Sequence, residues 1–67
     1  MAGKKELNRI KDVLKEKGRS QTWLASALDV DFVTISRYAN NHRQPSIEVL
    51  FEIAKVLKVD VCELLKR

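Results

Sequence analysis

Between Gln21 and Asn40 the chain reads QTWLASALDVDFVTISRYAN, two apolar stripes separated by only three residues, and this restricts the fold more than any other feature. Leu24, Ala25 and Leu28 share one side of a helix, and Ala25 is small enough to let a second helix cross closely. Asp29, Val30 and Asp31 then intervene, too few for an open loop. Ile35 and Tyr38 resume the stripe one helical step apart, and the Asp31 carboxylate is placed to accept from free amides two or three residues on. The pattern predicts a second helix over about Phe32–Ala39. With Ile35 and Tyr38 turned inward, its opposite face carries Val33, Ser36 and Arg37, with Phe32 at its N-terminal end.

The flanks complete an all-α reading. Leu7, Ile10, Val13 and Leu14 recur at helical spacing with charged residues between them, and Gly18 supplies a residue that takes positive φ to end the helix, so a first helix is expected from about Lys5 to Lys17. Met1 to Lys5 reads as a frayed basic arm. Ser20 is placed to cap the second helix, which opens with Gln21. Asn40, Asn41 and His42 end the third. Pro45 fits the approach to a fourth helix, Ser46 can cap it, and Ile47, Leu50, Ile53, Ala54 and Leu57 mark its buried stripe. Lys58 to Asp60 reads as a turn, with Asp60 capping a short fifth helix that carries Leu64 and Leu65.

Composition narrows the function classes. Sixty-seven residues make one domain, too small to enclose a deep catalytic pocket beside its own hydrophobic centre. Thirteen Lys and Arg against nine Asp and Glu leave a net charge of +4, which favours polyanionic partners. Only three Arg and two Asp lie between Arg19 and Pro45, so most of the basic excess sits in the first helix and the tails. One cysteine cannot close an internal disulfide, and no apolar run is long enough to span a bilayer or serve as a signal peptide; a soluble, cytoplasmic protein is expected. An enzyme lacks its parts: one His, one Cys, no acid pair on a shared face, no phosphate-binding Gly loop and no metal-ligand spacing. Neither a catalytic residue, a metal nor a cofactor is expected.

The residues Ser20, Gln21, Leu24, Ala25, Leu28, Val30, Ile35, Ser36, Asn40, Pro45 and Ser46 stand in the order and spacing of the repressor/Cro-type (XRE-type) helix-turn-helix family. The chain resembles that family over about residues 7–66, with Leu50, Ala54, Leu57, Val59 and Leu64 where its fourth and fifth helices carry core residues. The resemblance implies a compact five-helix, repressor-like domain in which the second and third helices form the DNA-binding element. It also exposes departures. Leu14 and Ala39 replace a partly buried Arg and Glu that pair in many relatives, a double exchange that avoids stranding one charge at about 3–5 kcal/mol. Arg19 stands where relatives bury a Leu, and Trp23, one turn on, is placed to cover that corner. Asp29, Asn41 and Lys58 replace three glycines, so either these turns are slightly strained or the fourth helix ends differently.

Carried over residue by residue, the resemblance assigns Phe32, Val33, Ser36 and Arg37 to the groove-facing side of the third helix, and Gln21, Thr34, Asn40 and Arg43 to the DNA backbone. A guanidinium at Arg37 can bond guanine O6 and N7 in parallel; the alternative is a surface Arg that meets a phosphate, Asp12 or Glu16. Phe32 and Val33 cannot hydrogen-bond a base edge but can pack on a thymine methyl, unless Phe32 turns inward as a staple for the helix start. Gln21 either anchors a phosphate or is an exposed first-turn residue, and His42 either joins the backbone clamp or is solvated.

The partners expected are double-stranded DNA and a second copy of the chain; no membrane and no small-molecule ligand enter this reading. Relatives of this size pair through the fifth helix and the turn before it, which here offers Val61, Cys62 and Leu65, flanked by Phe51. Val61 and Leu65 have the alternative of closing the core, and Cys62 reads as a small, semi-buried apolar residue. The function expected is that of a sequence-specific, DNA-binding transcriptional regulator. The alternative is a protein-interaction module that uses Phe32, Val33 and Trp23 as an apolar docking surface.

Overall fold

A computed structural model describes residues 7–66 of the chain. Four α-helices follow one another, α1 (Ile10–Glu16), α2 (Gln21–Leu28), α3 (Phe32–Ala39) and α4 (Ile47–Leu57), and a 3-10 turn (Val61–Leu64) closes the sequence of elements. The fold is all-helical. The fifth helix is corrected to a single 3-10 turn, because only four residues separate Asp60 from Leu65, where the backbone is already extended at φ −104° and ψ 145°.

That extension has a partner. Leu65 forms an isolated antiparallel bridge with Asn8, the Lys66 amide donates to the Leu7 carbonyl at 2.9 Å, and the Arg9 amide donates to the Leu64 carbonyl at 2.8 Å. The Leu7 carbonyl and the Arg9 amide are thus bonded to the C-terminal segment, and the Leu7 and Asn8 amides to the Asn41 side chain, so the helix begins only after them. The first helix starts at Ile10, not near Lys5, and Leu7 is exposed outside the core. Lys5 and the basic arm Met1 to Lys5 lie outside the described residues.

Every helix contributes to one core. Ile10, Val13 and Leu14 from α1, Leu24 and Ala25 from α2, Ile35 and Ala39 from α3, and Leu50, Ile53, Ala54 and Leu57 from α4 bury together with Leu64. Leu14 and Ala39 are each 3% exposed, as apolar replacements for an ion pair should be. The α4 stripe is one residue shorter than its periodicity suggests: Ile47, in the first turn, is 67% exposed. Trp23 packs against the core from α2, and the Arg19 guanidinium lies 4.5 Å above its ring, a cation–π contact that covers the α1–α2 corner.

All four helices end alike. In each, the residue after the last turn has positive φ, its amide reaches back three residues, and the next amide reaches back five, the Schellman arrangement. The left-handed residue is Gly18 (φ 68°) after α1, Asp29 (φ 58°) after α2, Asn41 (φ 60°) after α3 and Lys58 (φ 58°) after α4. The turns at Asp29, Asn41 and Lys58 have the same form as the one at Gly18. These three residues place side chains in a backbone region that L-residues occupy at about 1–2 kcal/mol.

Among the described residues no helix is long and apolar enough to cross a membrane.

Candidate nucleic-acid interface

α2 and α3 pack against each other across the three-residue turn 29–31. The start of α2 is fixed by Ser20, whose Oγ accepts from the Trp23 amide at 3.0 Å, so Gln21 begins the helix in its half-buried first position. α3 starts differently from the sequence expectation. The Asp31 carboxylate makes no bond to an α3 amide; it accepts instead from the Thr34 hydroxyl at 3.0 Å, which ties Thr34 to the first turn.

Burial divides α3 into two faces. Ile35 is fully buried, Ala39 is 3% exposed, and Tyr38 is half-buried on the same side. Phe32 and Val33 are 49% and 54% exposed, and Arg37 is exposed beside them. Phe32 therefore stands outside the core. Arg37 pairs with neither Asp12 nor Glu16, because the one ion pair among the described residues joins Arg9 to Glu16 at 2.8 Å.

Ser36 and Asn40 do not act as separate groups. The Asn40 side-chain amide donates to the Ser36 carbonyl at 2.8 Å and to the Ser36 hydroxyl at 3.3 Å, while Asn40 Oδ1 accepts from Lys11 Nζ at 3.3 Å. The Ser36 hydroxyl, accepting there, keeps its own hydrogen to donate. His42 and Arg43 follow in the exposed loop, their amides both turned back to the Arg37 carbonyl at 2.9 and 3.3 Å.

A polar cluster behind this loop has no counterpart in the sequence reading. Asn8 is 2% exposed, and its side-chain amide donates to the Tyr38 carbonyl at 3.0 Å and to Gln44 Oε1 at 2.7 Å. Its Oδ1 accepts from the Ile10 amide at 3.1 Å, so the same residue organises the start of α1. Gln44 in turn donates to Asn41 Oδ1 at 3.1 Å. The loop after α3 is thus held from beneath by the segment that precedes α1. The usable signal was Asn41 itself, a left-handed residue whose side chain needs partners; the partners lie too far along the chain to be read from it.

Of the residues considered for pairing, Val61 is half-buried and packs against the core, whereas Leu65 is 42% and Phe51 56% exposed. Cys62 is exposed, not semi-buried, because the 3-10 turn directs only Leu64 fully inward. Asp60 Oδ1 accepts from the Cys62 amide at 3.3 Å and sets that turn.

The helix-turn-helix family model matches residues 10–64 of the chain. The fold is also similar to the crystal structure of a "putative DNA-binding protein" from Bacteroides fragilis, with a TM-score of 0.88 and 45% sequence identity, covering 90% of this chain and 97% of that one. No curated protein matches.

Proposed function

This chain belongs to the repressor/Cro-type (XRE-type) helix-turn-helix family, and we propose that it is a DNA-binding transcriptional regulator that inserts α3 into the major groove of duplex DNA and acts as a homodimer. The carrying observation is the two-faced α3: Ile35 and Ala39 anchor it in the core while Phe32, Val33 and Arg37 stand in solvent. In this reading Arg37 bonds a guanine edge, Phe32 and Val33 pack on thymine methyls, and Ser36 donates its free hydroxyl hydrogen. Gln21, Thr34, Asn40 and Arg43 hold the backbone. One half-site is weakly held, since few phosphates are neutralised by α3 itself, and pairing through Val61, Cys62 and Leu65 supplies the second recognition helix about 34 Å away.

The alternative, a protein-docking module, finds support in the exposure of Phe32 and Val33 but not in Trp23, which packs on the core beneath Arg19. Selection of bound duplexes from a random pool tests the proposal. Enrichment of two half-sites one helical turn apart, with binding that weakens steeply with salt, is the outcome expected. No enrichment, together with salt-insensitive capture of a protein partner, would overturn it.

A further inference from the structure

α1 bridges the two ends of the helix-turn-helix, and one flank of it is cationic. Lys11 and Lys15 stand four residues apart on α1, hence on one face and about 6 Å apart along its axis. At one end of this flank Lys11 Nζ meets Asn40 Oδ1 at 3.3 Å, just past the C-terminus of α3. At the other, Lys11 and Lys15 share a cleft with Arg19, Ser20 and Gln21, where α2 begins. Arg19 is held there by its stacking on Trp23. Lys15 also borders the Arg9, Asp12 and Glu16 side of α1, yet among the described residues no carboxylate stands within 4.0 Å of Lys11, Lys15 or Arg19.

We propose that this flank is a phosphate track: Lys11, Lys15 and Arg19 engage successive phosphates of one DNA strand, joining the contacts at Asn40 to those at Gln21. The inference rests on the DNA-binding reading above and adds residues that it did not contain. Three cations with no carboxylate within 4.0 Å among the described residues line a path that starts and finishes at the two ends of the helix-turn-helix. Phosphates are spaced about 3.4 Å per strand along the duplex axis, so the two lysines span roughly two of them. The weak charge of α3 is then partly offset, because further counterion-releasing contacts sit on α1 and at Arg19 just after it.

The test is the slope of log affinity against log salt, measured by titration on a selected operator and on a random duplex of equal length. The Lys11→Gln, Lys15→Gln double variant should reduce the slope by about 1.8 per bound copy on both duplexes, about 3.6 for a dimer on two half-sites, since each lost phosphate contact removes about 0.9. The single Lys15→Gln variant should remove half of that, and the Lys11→Arg, Lys15→Arg variant should keep the wild-type slope. Lys55→Gln, at an exposed position of α4, should leave the slope unchanged. A double Gln variant that melts like wild type and binds with the wild-type slope overturns the track. Absence of duplex binding by the wild-type protein would instead remove the DNA-binding reading on which the track depends.

Discussion

Asn8 and Asn41, 33 positions apart, clasp each other through backbone and side chain together. Asn41 Oδ1 accepts from the Leu7 and Asn8 amides at 3.0 Å each, and Asn41 Nδ2 returns a bond to the Asn8 carbonyl at 3.1 Å. With Gln44 and the Tyr38 carbonyl the pair forms a closed polar network, and among the described residues no buried side-chain nitrogen or oxygen lacks a partner. Replacing Asn8 by Ala takes the Oδ1 partner from the buried Ile10 amide and removes the bonds to the Tyr38 carbonyl and Gln44, and should destabilise the domain by about 1–3 kcal/mol. Denaturant unfolding measures this; a loss near zero would mean that water replaces the amide freely.

The four helix ends allow a paired test of strain. Lys58 has positive φ, and among the described residues no side-chain hydrogen bond of Lys58 offsets it. Lys58→Gly should raise stability by up to about 1 kcal/mol, or roughly 4–8 °C in Tm for a domain of this size. Asn41 has the same backbone geometry but spends its side chain on Leu7, Asn8 and Gln44, so Asn41→Gly should lower Tm although it relieves the same φ. Two melts decide it, and equal shifts in the same direction would refute the distinction.

Legibility in the sequence followed the range of the interaction. Ser20, Ser46 and Asp60 act as caps where they were expected, because a cap depends on neighbours two or three residues away. Asp29, Asn41 and Lys58, which all have positive φ, were marked as turn positions only by the glycines that the resembling family carries there. Periodicity failed at element ends: Leu7 and Ile47 continue an apolar repeat past the point where the core stops. It also hid Asn8, which looks like a polar spacer between Leu7 and Ile10 until the chain returns with Asn41 and Gln44. The exposed α3 face of Phe32, Val33 and Arg37 was legible because its buried partner face was.

Arg37 provides the specificity test. Truncation to Ala should lower affinity for a selected operator by about 1–3 kcal/mol and relax one base position, whereas Gln21→Ala should weaken all sequences alike. Competition binding with single-base operator variants reads both effects. Unchanged discrimination in Arg37→Ala would take Arg37 out of base reading.

Leu14 and Ala39 test the compensated core. Both are buried, on helices that touch, so Ala39→Glu alone places a carboxylate among apolar side chains and should destabilise by about 3–5 kcal/mol. Adding Leu14→Arg should recover much of the loss. Melts of the two single variants and the double variant close the cycle, and strictly additive effects would show that the two side chains do not meet.

Assembly is tested at Leu65, whose backbone bridges Asn8 while its side chain stays 42% exposed, so that substitution there spares the core. If Val61, Cys62 and Leu65 form a self-complementary patch about a two-fold axis, Leu65→Glu sets two like charges against each other across it. The variant should remain folded, sediment as a monomer and lose cooperative binding to a two-half-site operator while still binding one half-site. Exposed Cys62 gives a second readout: mild oxidation links two copies only if their Cα atoms approach within about 7 Å, so a cross-link formed by wild type and lost in Leu65→Glu would place Cys62 near the axis. Wild-type protein that stays monomeric at tens of micromolar, and that occupies the two half-sites independently, would show that this patch is not a pairing surface.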